Sequence, residues 1–381
     1  MSQRQWRTGM CSAVLAVVGV IVQPTGATAT GPGPGTVLAW GANGQGQLGD
    51  GTTTGRLTPV QVLGIDEITA VAAGESTGYA MAWGAVQAWG DNSHNELGDG
   101  TTTDRLTPVQ VSDLVDVVAV GAGAHNGYAV RSDGTAWAWG ENSDGAVGDG
   151  TTINRSTPVQ VSDLTDVIAV AGGMHTGYAV RSDGTAWAWG FNNSGQLGDG
   201  TTTDSSTPVQ VSNLTQVRAI AGGVYRGYAL RDDGTVWAWG SNSFGALGDG
   251  TTTDSLTPVP VSGLTQIIAI AAGSNSGYAL RSDGTVWAWG YNYVGQLGDG
   301  TTTNSSTPVQ VSGLTRVAAI AAGAYTGYAL RRDGTVRAWG SNAGGALGDG
   351  TNTNRPTPAQ VTGLSGVSEI AGGGLSGYAV H

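Results

Sequence analysis

Lysine is absent from the chain, and cysteine occurs only once, at Cys11. Cys11 lies in an N-terminal segment that we expect to be removed, so the mature chain would have no disulfide and no cysteine-ligated metal. Arginine supplies all of the strong positive charge, and the formal net charge is −12 at pH 7. An acidic surface repels phosphate backbones, which argues against DNA or RNA as a partner but remains compatible with a basic protein partner.

A hydrophobic run long enough to span a membrane is also missing. The apolar run at residues 10–22 has about 13 residues, whereas a spanning helix needs about 20. Arg4 and Arg7 precede this run, and Ala27-Thr28-Ala29 follows it. This order is typical of a secretory signal peptide and fits better than the alternative, a membrane anchor. We therefore predict a signal peptide at residues 1–29, a Gly/Pro-rich lead-in at residues 30–35, and a secreted, extracellular protein without a membrane partner.

From residue 36 onward the chain is built from a repeat of about 50 residues, a period typical of propellers. The Ala-Trp-Gly triplet places its tryptophans at Trp40, Trp89, Trp139, Trp189, Trp239, Trp289 and Trp339. The Gly-Tyr-Ala triplet places its tyrosines at Tyr79, Tyr128, Tyr178, Tyr228, Tyr278, Tyr328 and Tyr378. Short aromatic and β-branched runs between Gly-rich turns, without a helical apolar period, predict one blade per repeat. The sequence thus predicts an all-β, seven-bladed β-propeller over residues 36–381.

One repeat illustrates the four strands that we expect in each blade. They cover residues 258–261, 267–271, 278–280 and 285–289, and an Asp283-Gly284 turn joins the last two. Trp287 and Trp289 share one face of their strand. We interpret Trp287 and its counterparts as packing residues between blades rather than as sugar-stacking platforms, because they alternate with small residues.

The two ends of the chain share one blade. The sequence stops after Gly-Tyr-Ala-Val-His at residues 377–381, where a turn and a further strand should follow. It begins its repeats with that strand, at residues 35–41. We therefore predict that the N- and C-terminal strands together close the last blade, which protects the sheet edges of the ring.

These motifs resemble a known family. Gly-Tyr-Ala-Leu, Asp-Gly-Thr-Val, Trp-Ala-Trp-Gly, Gly-Gln-Leu-Gly-Asp-Gly and Pro-Val-Gln-Val together resemble the regulator of chromosome condensation repeat, whose members form seven-bladed propellers. Ala-Trp-Gly and the adjoining strands are also similar to those of secreted bacterial propellers that inhibit β-lactamases, although those repeats are shorter and lack the Leu-Gly-Asp-Gly-Thr loop. The resemblance implies the fold and leaves the partner open, because one fold hosts many functions.

Two loops vary between the repeats, and we expect both on one face of the ring, opposite the Asp-Gly turns. Three residues before each tyrosine stand Ser76, His125, His175, Tyr225, Asn275, Tyr325 and Leu375. After Trp-Gly stand Ala42, Asp91, Glu141, Phe191, Ser241, Tyr291 and Ser341. Aromatic and charged groups on exposed loops are typical anchors of protein interfaces, although loops also vary simply because packing constrains them little. The predicted partner-binding residues are His125, His175, Phe191, Tyr225, Phe244, Asn275, Tyr291, Tyr293 and Tyr325.

The recurring aspartate of Leu-Gly-Asp-Gly-Thr is a candidate calcium ligand. The carboxylates that could assist it, such as Asp104 and Asp204, are replaced by asparagine or glycine in other copies. The spacing also lacks the alternating carboxylates of a calcium loop. An aspartate that caps its own turn explains all seven copies.

Two histidines on neighbouring blades suggest a different chemistry. His125 and His175 occupy equivalent positions and would lie close together, with Glu141 and Asp91 on adjoining loops. Such a group could bind a metal or act as an acid and base. No third ligand at a fixed spacing and no nucleophile motif accompanies them. We therefore predict no metal, no cofactor and no catalytic residue.

The predicted function is that of a secreted, monomeric propeller that binds an extracellular protein. It would inhibit an extracellular enzyme by steric occlusion through the variable loops, since a rigid face loses little entropy on binding. The alternative is an extracellular lyase or hydrolase with a site near His125 and His175.

Overall fold

The computed structural model describes residues 35–381, and these form a ring of seven four-stranded antiparallel sheets. The predicted all-β, seven-bladed propeller is confirmed. The expected signal peptide, residues 1–29, lies outside the described residues, as does the lead-in except Gly35. Within residues 35–381, no helix is long and apolar enough to cross a membrane.

Each blade contains the same four strands in the same order. The innermost strands are β3 (Ala70–Ala73), β7 (Val117–Ala122), β11 (Val167–Gly172), β15 (Val217–Gly222), β19 (Ile267–Ala272), β23 (Val317–Ala322) and β27 (Glu369–Gly372). The second strands are β4 (Thr77–Ala82), β8 (Asn126–Arg131), β12 (Thr176–Arg181), β16 (Arg226–Arg231), β20 (Ser276–Arg281), β24 (Thr326–Arg331) and β28 (Ser376–Val380). The third strands are β1 (Val37–Gly41), β5 (Ala85–Gly90), β9 (Ala136–Gly140), β13 (Ala186–Gly190), β17 (Val236–Gly240), β21 (Val286–Gly290) and β25 (Val336–Gly340). The outermost strands are β2 (Arg56–Gln61), β6 (Arg105–Gln110), β10 (Arg155–Gln160), β14 (Ser205–Gln210), β18 (Ser255–Pro260), β22 (Ser305–Gln310) and β26 (Arg355–Gln360). Short 3-10 turns lie at Ser243–Gly245 and Ala343–Gly345.

The chain termini close the ring as the sequence predicts. Strand β1 pairs with β28 in one blade, with Leu38 opposite Ala379 and Ala39 opposite Tyr378. The backbone N–H of Gly35 donates to the carbonyl of His381 at 2.7 Å. The first and last strands of the described chain therefore belong to one continuous sheet, which closes the ring.

A buried contact between a tyrosine, a backbone carbonyl and a tryptophan joins each blade to the next. The Tyr228 hydroxyl and the Trp289 indole N–H both donate to the carbonyl of Ala246, at 2.6 and 2.9 Å. Their rings lie edge to face, with centroids 5.9 Å apart. The same arrangement recurs around the ring and closes it, since Tyr328 and Trp40 share the carbonyl of Ala346. Both ring systems are fully buried, so each contact sits in an apolar core between two blades.

The glycine of Gly-Tyr-Ala makes room for this tryptophan. A Cβ at Gly277 would lie 2.3 Å from Cζ2 of Trp289, closer than non-bonded atoms can approach. The second tryptophan of the strand, Trp287, is half-buried, and the Arg281 guanidinium lies 4.6 Å from its ring centroid. Trp287 packs against the core between two blades, which agrees with the packing interpretation.

The second repeat is one residue shorter because its hairpin turn is different. Elsewhere the turn includes Asp-Gly, as at Asp283-Gly284, where Gly284 has φ +84° and Asp283 accepts from the Thr285 N–H. In the second repeat, β4 and β5 are joined by Trp83-Gly84 alone, and both residues have positive φ. Two-residue turns of this kind match the twist of the flanking strands. Trp83 is 83% exposed, and its indole N–H donates to the Glu67 carboxylate.

One innermost strand carries a carboxyl group where its counterparts carry alanine. Glu369 in β27 occupies the position of Ala319 in β23, beside the neighbouring blade. Burial raises the pKa of Glu369 to about 7, although a hydrogen bond from the Val71 backbone opposes this shift. Ionisation of Glu369 therefore destabilises the folded ring.

We expect the substitution Glu369→Gln to change how stability depends on pH. The carboxyl titrates near 4.5 in the unfolded chain and near 7 in the folded one. The native state must therefore lose stability between these values, by about 3 kcal/mol, as pH rises. In denaturant unfolding from pH 4 to 8, the free energy of unfolding of Glu369→Gln should rise relative to that of the parent between about pH 4.5 and pH 7. Above pH 7 the difference between the two proteins should stay constant. A difference that is constant with pH would show that Glu369 ionises normally.

Alanine at Gly277 should destabilise the ring by about 3 kcal/mol, because its Cβ would displace the buried Trp289 ring. Gly44 offers a matched control, since a Cβ there meets no atom within 4 Å and its backbone is not left-handed. Gly44→Ala should change the free energy of unfolding by less than about 0.5 kcal/mol. Equal losses in both variants, measured by thermal and denaturant unfolding, would contradict the steric explanation.

Candidate functional site

Strand pairing brings the two variable loops to one face of the ring. In the β20–β21 hairpin, Ser276 pairs with Gly290 at one end, and Leu280 pairs with Val286 next to the Asp-Gly turn. The loop before β20 and the loop after β21 therefore emerge together, opposite that turn. We call the surface made by the seven equivalent pairs of loops the loop face.

Backbone hydrogen bonds hold the variable positions of the loop face side by side. The N–H of Tyr291 donates to the carbonyl of Asn275 at 2.9 Å, and the N–H of Phe191 donates to that of His175 at 3.0 Å. The short inner loops are also linked from blade to blade, for example from the Ser274 N–H to the Ala324 carbonyl. The two sequence series that we predicted on a common face are thus direct neighbours on a rigid support.

The long loop after the third strand satisfies its own polar groups. The buried Asn292 side chain donates to the Thr303 carbonyl and accepts from the Leu297 N–H. Asp299 accepts from the N–H and the hydroxyl of Thr301. The predicted turn-capping role of the recurring aspartate is confirmed. Its oxygens serve the loop itself, which leaves the calcium interpretation without support.

The exchange of Asp for Asn in these loops has a structural reason. The Oδ1 atom of Asp104 accepts from the Asn92 N–H at 2.9 Å, and Oδ1 of Asn304 accepts from the Asn292 N–H at 2.8 Å. Both side chains supply the same acceptor oxygen. This position therefore requires an acceptor oxygen and does not require a negative charge.

Aromatic side chains form a cluster on one part of the loop face. The Tyr291 ring centroid lies 4.9 Å from that of Phe244, 4.9 Å from that of Tyr293 and 6.0 Å from that of Tyr325. Phe244 is 43% exposed and Tyr293 is 64% exposed. We refer to these four residues as the aromatic cluster. The sequence predicted each of them as a binding residue, and the structure brings them together.

Four of the other predicted residues, His125, His175, Phe191 and Tyr225, form a second row of ring contacts. Centroids of His125 and His175 are 6.3 Å apart, those of His175 and Phe191 are 6.4 Å apart, and those of Phe191 and Tyr225 are 6.0 Å apart. The predicted proximity of the two histidines is confirmed. Asn275 has a structural role as well, because its Oδ1 accepts from the guanidinium of Arg226 at 3.2 Å.

Carboxylates surround the histidines of this row. Nδ1 of His125 lies 3.3 Å from the buried carboxylate of Glu96. Burial lowers the pKa of His125, but the hydrogen bond to Glu96 and the nearby negative charges outweigh it and hold the pKa above its usual value. For His175, burial outweighs the charges of Glu141 and Asp144, and its pKa falls below the usual value. The row combines groups that can exchange protons or bind a metal; the alternative of a lyase or hydrolase stays a prediction.

Sequence reasoning missed three residues of this face. His94 lies beside His125, with ring centroids 5.0 Å apart, and Glu96 lies between them. Arg226 is fully buried and donates to the carbonyls of Ser241 and Ser274. A comparison of the copies would have marked Glu96, where others have Gln or Ala, and Arg226, where others have Thr, Ser or Asn.

Comparison with known proteins agrees with this architecture. The description "Regulator of chromosome condensation (RCC1) repeat" matches seven consecutive segments, residues 34–81, 84–130, 133–180, 183–230, 233–280, 283–330 and 333–380. A second description of the same repeat matches residues 117–146, 217–246, 267–296 and 317–346. No curated protein matches the chain.

Solved structures share the fold at low sequence identity. Prp20p from Saccharomyces cerevisiae, described with its binding properties to Gsp1p and histones, is 21% identical with a TM-score of 0.79, covering 92% of each chain. Human WBSCR16 is 22% identical with a TM-score of 0.80, covering 91% of this chain and 98% of its own. Yeast RCC1 (Prp20) bound to Kap60 is 19% identical with a TM-score of 0.80, covering 94% and 96%. At this identity the likeness shows the fold alone.

A test of the long loops follows from the pair between Asp99 and Arg105. Asp99 Oδ2 accepts from Arg105 at 2.7 and 2.8 Å, whereas three other copies have serine in place of this arginine. Burial raises the pKa of Asp99, but hydrogen bonds from Thr101 and Arg105 outweigh it and keep the pKa below its usual value. Arg105→Ser should therefore lower the free energy of unfolding by less than about 1 kcal/mol at neutral pH.

This loss should depend on pH in a defined direction. A depressed carboxyl pKa contributes stability above the unfolded value near 3.8, and that contribution disappears as pH falls through the folded value. Denaturant unfolding of both proteins at neutral pH and at about pH 2 checks this linkage. An equal difference at both pH values would mean that the arginine acts through packing and not through charge.

Proposed function

The chain belongs to the regulator of chromosome condensation (RCC1) repeat family, and on that premise we propose that it is a protein-binding propeller. Its loop face holds the partner, with the aromatic cluster as the anchor. We further propose that the protein is secreted and that it inhibits an extracellular enzyme by covering the enzyme's active site.

The exposed aromatic cluster is the observation that carries this proposal. Tyrosine and phenylalanine supply large apolar contact areas with few rotatable bonds, and both are enriched at protein interfaces. The rings of Phe244, Tyr293 and Tyr325 each pack beside that of Tyr291 on a surface of backbone-linked loops. Such a preformed surface loses little conformational entropy on association.

The backbone at Phe244 supports a role outside the fold. Phe244 has φ +64°, a left-handed conformation that is unfavourable for a residue with a side chain. The equivalent residue two repeats later is Gly344, with φ +66°. The loop therefore carries an exposed aromatic residue at a position that glycine would fill without strain. Local strain of this kind concentrates at functional sites.

The charge distribution limits the partner's chemistry. The net charge is −12, and Glu75, Glu141 and Asp144 lie beside the histidine row of the same face. A complementary partner would present an apolar patch flanked by basic groups. The proteins described for yeast relatives, Gsp1p, histones and Kap60, support protein binding as the general activity of such propellers and do not identify the partner here.

The proposals of secretion and of enzyme inhibition rest on observations other than the aromatic cluster. The basic, apolar and small-residue order of residues 1–29 is the reason for proposing export. Occlusion needs no chemistry from the propeller, since a standard interface covers about 800 Å² on each partner. A secreted β-lactamase is the first enzyme to test, because the Ala-Trp-Gly motif and its strands suggested a similarity to β-lactamase-inhibitory propellers.

The double substitution Phe244→Gly and Tyr291→Ser should abolish partner binding without unfolding the protein. Both replacements already occur in this chain at equivalent positions, as Gly344 and Ser341, so the loops accommodate them. The immobilised chain should retain a protein from the medium of the producing organism. Surface plasmon resonance with that purified partner should show at least about a 100-fold loss of affinity, the scale of two hot-spot residues.

Trp83→Ala is the matched control, because Trp83 is the most exposed aromatic residue of the ring and lies at the turn end of its hairpin, away from the loop face. This variant should bind the partner as the parent does. Unchanged binding by the double variant, with loss of binding in Trp83→Ala, would place the interface on the opposite face.

A further inference from the structure

Three of the four histidines of the chain meet on neighbouring blades, and two of them share one carboxylate. Nδ1 of His94 and Nδ1 of His125 each lie 3.3 Å from the same oxygen, Oε1 of Glu96. One potential ligand atom from each of His94, Glu96 and His125 lies within 4.8 Å of those of the other two. Positions in the sequence do not predict this group, because His125 lies in the blade next to that of His94 and Glu96.

The two nitrogen-to-oxygen spacings match those between the ligands of a tetrahedral zinc ion. Zinc bonds of about 2.0–2.1 Å to imidazole nitrogen and 2.0–2.2 Å to carboxylate oxygen place neighbouring ligand atoms roughly 3.3 Å apart. Both nitrogen-to-oxygen distances already have this value. We propose that His94 Nδ1, His125 Nδ1 and Glu96 Oε1 bind a zinc ion on the loop face.

Glu96 differs from the glutamines at equivalent positions in a single side-chain atom. Gln47, Gln196 and Gln296 occupy its position in other blades, and each accepts a backbone N–H from the residue two positions earlier. Glu96 Oε2 accepts from the His94 N–H in the same way, at 2.8 Å. The structural task of the side chain is therefore preserved.

The remaining atom changes from a hydrogen-bond donor to a metal ligand. In Gln196 that atom, Nε2, is buried and has no hydrogen-bond partner. In Glu96 it is Oε1, on a side chain only 1% exposed, and it faces two imidazoles. A carboxylate buried without a cation is costly, and a divalent ion at this point would compensate its charge.

The surroundings suit a bound ion. Glu75 Oε2 lies 3.8 Å from Nε2 of His125, the nitrogen that would not bind the metal. At this distance the carboxylate adds a negative charge near the ion, which favours a bound cation. The Ser93 hydroxyl lies 3.0 Å from Nδ1 of His94 and would turn away to free that nitrogen. The His94 side chain is 46% exposed, so the ion enters from solvent and water completes the coordination.

The donor set selects the class of ion. Imidazole nitrogen favours zinc and neighbouring transition metals, whereas calcium and magnesium prefer sites made of oxygen ligands. This inference departs from the prediction of no metal made from the sequence. It does not rest on the proposed protein binding, because neither Phe244 nor Tyr291 takes part.

The test is titration of the tag-free, metal-depleted chain with zinc chloride by isothermal calorimetry. A single zinc ion should bind, and zinc should raise the melting temperature because it binds the folded state. His94→Ala, His125→Ala and Glu96→Gln should each weaken binding by at least about tenfold. Cobalt(II), used as a spectroscopic probe, should show visible bands of tetrahedral coordination that these variants lose.

His175→Ala is the control, since His175 lies beside Glu141 and Asp144 on the next blade and outside the three ligands. Zinc affinity should stay within about twofold of the parent, well below the effect of a lost ligand. Glu96→Gln should melt no lower than the zinc-free parent, because three copies carry glutamine there and an uncompensated buried carboxylate is costly. No zinc binding, zinc binding that Glu96→Gln leaves unchanged, or a greater loss in His175→Ala than in His94→Ala would each overturn the proposal, as would preferential binding of calcium.

Discussion

The shared carbonyl between a tyrosine of one blade and a tryptophan of the next is the contact on which the ring depends. Tyr228 and Trp289 meet at the carbonyl of Ala246, and Tyr328 and Trp40 meet in the same way where the chain closes. Because the carbonyl belongs to the loop after the third strand, the contact fixes that loop together with the two blades. Satisfying all three polar groups inside an apolar core makes the geometry specific as well as stable.

This arrangement separates the residues that build the ring from those that vary. The Asn and Asp side chains of each long loop satisfy the loop's own backbone, and the Gly-Tyr glycine admits the tryptophan ring. With these positions constrained, the tips of the loops are free to differ. Phe244 and Tyr291 on one part of the loop face, and His94 and Glu96 on another, are departures of this kind. A binding surface and a metal site can therefore coexist on one support.

The repeat made the architecture predictable in detail. The strands expected at residues 267–271 and 278–280 are Ile267–Ala272 and Ser276–Arg281, with boundaries off by one or two residues. The expected strand at residues 258–261 is Ser255–Pro260, and Val261 lies beyond it in an interblade core. Local patterns define such elements because alternation and turn chemistry act over a few residues. The shortened turn at Trp83 was visible as a change of spacing, but its two-residue conformation was not.

By itself, the sequence determined the number of blades, the closure by both termini and the common face of the variable loops, because these follow from a repeated pattern and from antiparallel pairing. Tertiary structure alone decided which variable residues meet. His94 and His125 lie 31 positions apart, and Glu96 joins them only because the ring places one blade's long loop against the next blade's inner loop. Blade-to-blade distances depend on interblade packing, which no pattern within one repeat encodes.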